Sequence, residues 1–181
     1  MNNYGIDIWS DDNFVIEDGL AKVNYKCKPS LISIVKDIRK QDFKGPLLLR
    51  FPHITEKQVN TLYNTFNSSI KEYDYKGNFN AVFPLKVNQL PNFIHPLINE
   101  GKKFNYGLEA GSKAELVIAM TYNNINSPIT VNGFKDKEMI HLGFIAKSMG
   151  HDITLIIEGL NELEMIIEVL NETKMEAPSI G

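Results

Sequence analysis

A lysine stands where an apolar run ends. "NAVFPLKVNQ" reads as a buried β-strand from Asn80 to Val87, with Lys86 near its close. Desolvation disfavours a buried ammonium, which either keeps its charge through a partner or loses its proton as the pKa falls. Pro84, two residues earlier, lacks the N–H a ladder requires and marks where regular pairing ends. A neutral amine in a partly desolvated pocket attacks a carbonyl carbon to give a Schiff base, so Lys86 is a candidate nucleophile. The structural alternative is a side chain that runs out to solvent or pairs with Glu109.

Glu109 lies in the next apolar run, "GLEAGSKAEL", between Gly107 and Gly111, where a flat ligand can approach the backbone closely. Its carboxylate either orients such a ligand or, preceding a helix, complements the helix dipole. The last polar residues of successive runs are Arg50, Lys86 with Asn88, Glu109, Asn132 and Glu158. In parallel α/β folds ligands gather at the carboxyl ends of strands, so these residues form a candidate ring around one mouth. For Asn132, followed by Gly133, turn formation is sufficient explanation. The histidines (His53, His95, His141, His151) lack paired metal-ligand spacing and there is one cysteine, so no tight metal site is expected. Cys27 reads as a packed small hydrophobe. Neither a P-loop nor a G-x-G-x-x-G fingerprint occurs.

Composition bounds the rest. The 181 residues, 43% hydrophobic and 23% charged, match an ordinary globular domain with a real core. A net charge of -3, with dispersed basic residues, gives no footprint for nucleic acid. No apolar run reaches membrane-spanning length. The N-terminus has neither a basic n-region nor an apolar h-region, and a cytoplasmic location is expected.

Elements must position these groups. "PLLLRF", "FNAVFPLKV", "KFNYGLEA", "PITVNG" and "DITLIIE" read as strands, each followed by an amphipathic segment. The helix after "PLLLRF" takes Thr55 as its N-cap, the next runs from Pro91 to a stop at Gly101, Ser112 and Glu115 are spaced as a capping box, and another helix runs from Asp136 to Gly150. Leu62, Phe66, Met139, Leu142, Ile145, Ile166 and Ile167 are spaced as core faces. The strands show almost no polar alternation, so both faces should be covered. The expected fold is α/β: an incomplete (β/α)8 TIM-type barrel of about five βα units. A further strand should begin at the terminal "PSIG". Residues 1–28, one or two strands around an Asp18-Gly19 turn, are assigned to a second, β domain, and 29–181 to the first part of the barrel.

"FPLKVNQ", "GLEAGSKAEL" and "VNGFKDKEMIHLG", in this order and spacing, resemble the biosynthetic arginine decarboxylase family. The resemblance runs from "YGIDIWSDDNF" to "APSIG"; Phe83 and Leu85 stand where the family usually has tyrosine and isoleucine. Family members are several times longer, which implies that this chain is an N-terminal fragment, inactive alone. The resemblance implies an alanine-racemase-like fold and pyridoxal 5'-phosphate (PLP) chemistry that converts L-arginine to agmatine and CO2, in polyamine (putrescine and spermidine) biosynthesis. It makes Lys86 the Schiff-base lysine and Glu109 the acidic residue beside the cofactor. It further implies a homodimer or higher homo-oligomer and leaves open Mg2+ in the full-length enzyme. Another basic amino-acid decarboxylase or racemase of this fold, and a non-catalytic PLP-binding or interaction protein, remain as alternatives.

Overall fold

A computed structural model describes residues 5–181. Tyr4, the first residue of "YGIDIWSDDNF", and the N-terminal residues read above for a leader lie outside the described part. The chain forms two compact units, one ending at Ile54 and the other running from Thr55 to Gly181.

In the first unit a one-turn helix, α1 (Ile6–Trp9), precedes an antiparallel hairpin of β1 (Phe14–Glu17) and β2 (Leu20–Val23). Asp18 (φ 54) and Gly19 (φ 74) both take the left-handed conformation that a two-residue hairpin turn demands, as their types predict. Helix α2 (Leu31–Arg39) is an unanticipated element: the Ser30 hydroxyl accepts the Ser33 N–H at 3.1 Å and caps it. Cys27 is exposed in a turn instead of packed. "PLLLRF" forms no strand, and Leu48 is 77% exposed. Apolar residues make a strand only where a neighbour satisfies their backbone groups, and no described strand pairs with this run.

Helix α3 (Pro52–Glu72) starts at a proline, not at an N-cap on Thr55, because the fixed φ of proline suits a first helical position. In the second unit its Tyr63 stacks on Phe104 with centroids 4.4 Å apart and accepts the Ala81 N–H at 3.2 Å. That contact fixes the chain just before β3 (Val82–Pro84).

The parallel sheet continues through β4 (Gly107–Ala110), β5 (Ile129–Val131), β6 (Ile153–Leu155) and β7 (Ser179–Ile180), in the order β3-β4-β5-β6-β7. The strand expected at "PSIG" is thus present. Between the strands lie α4 (Pro91–Gly101), α5 (Lys113–Tyr122), α6 (Lys137–Ser148) and α7 (Leu160–Thr173). Sequential parallel strands with intervening helices make the wall of an α/β barrel, here five strands of an incomplete one. Helix α4 does not stop at Gly101: a 3₁₀ turn, Lys102–Phe104, extends it to a left-handed Asn105 (φ 56). Gly107 has no room for a side chain, since a Cβ would stand 1.9 Å from the Pro128 carbonyl oxygen.

The sheet's faces differ, contrary to the expectation of uniformly apolar strands. Leu85, Leu108, Ala110, Ile129, Val131, Ile153 and Leu155 are buried in one core with Ile94, Leu97, Leu116, Ile140, Phe144, Ile166 and Val169 of the helices. The ladder register lines up Pro84, Glu109, Thr130, Thr154 and Ser179 on the alternate face, where Glu109, Thr130 and Thr154 are half-buried. Of the residues expected on core faces, Met139 and Ile166 are buried; Phe66 and Ile167 are exposed. Phe66 instead stacks on Phe79 at 3.8 Å.

Candidate functional site

Strand β3 ends at Pro84 with one last bond to β4 from the Leu85 N–H, and the chain then turns: the Val87 N–H donates to the Pro84 oxygen at 3.1 Å. Leu85 stays in the core, while Lys86, third in that turn, is exposed. The expected burial of Lys86 along a strand is therefore corrected. The turn lifts the amine onto the carboxyl rim, where it makes no hydrogen bond or ion pair with any described residue.

Glu109 faces Pro84 across the β3–β4 ladder. Its backbone oxygen accepts the Leu85 N–H at 3.0 Å, and its carboxylate has no donor among the described residues. Lys86 and Glu109 form no ion pair, so neither neutralises the other. The dipole role falls to Glu115: Ser112 accepts the Glu115 N–H at 3.3 Å, and the Glu115 carboxylate accepts the Gly111 N–H at 2.7 Å.

The rest of the ring is more occupied. The Asn88 side chain accepts the Leu90 N–H at 3.1 Å, and Asn132 accepts the N–H of left-handed Gly133 (φ 83) at 3.0 Å, both turn duties. Glu158 accepts the same Gly133 N–H at 3.0 Å. Arg50 belongs to the first unit and is exposed.

Sequence reasoning missed a buried pair on this rim. Lys135 and Glu162 have side chains 0% and 2% exposed and 2.8 Å apart. The Lys135 ammonium also donates to the Gly133 oxygen at 2.6 Å and to the Ile156 oxygen. The Glu162 carboxylate accepts the N–H groups of Lys135 at 2.7 Å and Glu158 at 3.0 Å. Burial alone would push the Glu162 carboxyl up, but Lys135 and the two N–H groups outweigh it and hold it below its ordinary value. The available signal was Glu162 three residues after Gly159, a first-turn position from which a carboxylate reaches back to free N–H groups.

Three lysines thus stand at the carboxyl ends of neighbouring strands. Lys135 uses its three protons on Glu162 and two carbonyls, and Lys113 pairs with Asp136 at 2.7 Å and Glu138 at 2.5 Å. Lys86 alone of these has no carboxylate partner among the described residues. A cleft of about 590 Å³ opens beside Gly111, Lys113, Phe134 and Met139, but neither Lys86 nor Glu109 lines it. Among the described residues no group of three or more His, Cys, Asp or Glu side chains could hold a metal ion, and no helix is long and apolar enough to cross a membrane.

No family model matches the chain. Curated relatives do: the biosynthetic arginine decarboxylase of Prochlorococcus marinus (strain AS9601) is 35% identical over 187 residues, covering 100% of this chain and 29% of that protein. The chain is similar along its whole length to biosynthetic arginine decarboxylases. The biosynthetic arginine decarboxylase of Citrifermentans bemidjiense is 38% identical over 184 residues, covering 98% of the chain and 29% of the relative. The crystal structure of the biosynthetic arginine decarboxylase from Campylobacter jejuni superposes with a TM-score of 0.96 at 59% identity, over 100% of this chain and 31% of that one. The diaminopimelate decarboxylase structure from M. jannaschi, 24% identical over 94% of this chain and 35% of its own, has a TM-score of 0.67 and supports the fold alone. The resemblance carried by the three motifs and the incomplete-barrel fold are both borne out. The chain spans about three tenths of the length of the curated relatives it matches.

Proposed function

We propose that this chain forms the cofactor-lysine portion of a PLP-dependent arginine decarboxylase, which converts L-arginine to agmatine and CO2. The reading rests on the similarity to biosynthetic arginine decarboxylases and on one observation: among the described residues the Lys86 amine has no partner at the carboxyl end of β3, and the Glu109 carboxylate on the neighbouring strand has no donor. The donor set fits PLP. An amine without a competing carboxylate can bond an aldehyde carbon, and a carboxylate without a protein donor can meet a ring nitrogen or hydroxyl. PLP, when bound, supplies the electron sink that accepts the electron pair left by departing CO2.

The chain's residues have separate tasks. Lys86 would hold the cofactor through its amine, while the Glu109 carboxylate would orient it. The half-buried hydroxyls of Thr130 and Thr154, on the same face as Glu109, offer hydrogen bonds to whatever occupies the mouth. In this reading the complete protein serves polyamine biosynthesis in the cytoplasm as a homo-oligomer, with the chain by itself inactive.

The test is arginine-dependent CO2 release by the complete protein with PLP, together with the visible absorbance of a lysine-bound cofactor. Lys86→Ala should remove that absorbance and lower turnover by roughly three orders of magnitude or more. Retained absorbance and turnover would end the assignment.

A further inference from the structure

The buried pair costs desolvation of two charges, and an apolar pair of similar volume serves stability as well, so its presence at this place calls for a reason. Every group it binds belongs to the rim. Lys135 ties the Gly133 and Ile156 carbonyls, and Glu162 ties the Lys135 and Glu158 N–H groups, while the Glu158 side chain closes the circuit on the Gly133 N–H. Three segments are joined: the β5–α6 loop, the end of β6 and the first turn of α7. The Ile156 N–H donates to the Val131 oxygen and the Ile157 N–H to the Gly181 oxygen, so the ladders on both sides of β6 run on to the residue before Glu158. Two-residue alternation from Thr130 and Thr154 then places Asn132 and Glu158 on the polar face that carries Glu109.

We propose that Lys135 and Glu162 are positioning residues, a buried clamp that fixes Asn132 and Glu158 at the mouth where substrate enters. The proposal rests on the decarboxylase reading of that mouth, and it deepens it. The clamp lies away from the turn that carries Lys86, so it governs substrate placement and leaves cofactor attachment alone.

The test replaces the pair by apolar residues, Lys135→Met with Glu162→Met, in the complete protein, with Glu162→Gln as a second variant should the first not fold. Two readouts are taken. In the cofactor-free protein, amide exchange at Gly133, Lys135 and Glu158 should accelerate by about tenfold or more, with Leu85 and Leu108 unchanged. With PLP and arginine, KM should rise by about tenfold or more while the absorbance of the lysine-bound cofactor stays as in wild type. Adding either variant to Glu158→Ala should change KM less than it does alone, because the clamp acts through that residue. Unchanged exchange and KM, or acceleration spread equally to Leu85 and Leu108, overturns the proposal. A wild-type protein without arginine turnover would defeat the decarboxylase reading, and the exchange measurement would then still decide the clamp.

Discussion

Pro84 and Glu109 stand opposite each other in the β3–β4 ladder, and after a last bond from the Leu85 N–H to the Glu109 oxygen the chain turns away to present Lys86. A carboxylate on one strand and an amine at the end of its neighbour are thereby brought to one rim without being paired. That separation bears directly on what each group does when altered.

Glu109→Gln keeps the shape and removes the charge. Because the carboxylate has no donor among the described residues, the fold should be indifferent, with thermal stability altered by no more than about 0.5 kcal/mol. Steady-state decarboxylation by the complete protein should fall by roughly tenfold or more in kcat/KM. Equal activity would remove Glu109 from the site.

Lys86→Met should leave stability alone for the same reason. The side chain is exposed and has no partner among the described residues, so denaturant unfolding should agree with wild type within about 0.5 kcal/mol. A larger loss would mean that Lys86 supports the fold and is not held in reserve for chemistry.

Lys135→Met should behave in the opposite way. It strands the Glu162 carboxylate in the interior, which costs about 3–5 kcal/mol in unfolding free energy. Combining it with Glu162→Met should restore most of that loss, since no uncompensated charge remains. Urea titration of the single and double variants measures both.

His151 supplies a pH test. It is 6% exposed, its Nδ1 has no partner, and burial lowers its pKa from the ordinary value. Below about pH 6.5 the unfolded chain binds a proton that the folded one resists, so stability is present above that pH and declines as the pH falls through it towards the folded value. His151→Gln should flatten the slope of unfolding free energy between about pH 7 and 5.5. An unchanged slope would assign the dependence to other groups.

Much of this arrangement is legible residue by residue. Asp18-Gly19 specifies a hairpin, Ser112 and Asp136 cap helices through their own side chains, and Gly150 (φ 91) follows a helix end, because each depends on neighbours within a few positions. "PLLLRF" fails because strand formation needs a partner that no local pattern reports. The pattern puts Lys86 at the end of β3 but also implies its burial, and the turn that begins at Pro84 decides its exposure. The Lys135–Glu162 pair escaped notice because its members lie 27 positions apart and a charged residue's burial is a property of the assembled loops. Helix α2 had both a cap at Ser30 and apolar residues at helical spacing, and was legible in principle.

The inequality among the rim lysines has a chemical outcome. An electrophile drifting into this end of the sheet meets two ammonium groups already committed to carboxylates and one with no carboxylate partner among the described residues. Under the decarboxylase reading, regioselectivity would follow from how the competitors are occupied, and an aldehyde would need no separate device to find Lys86.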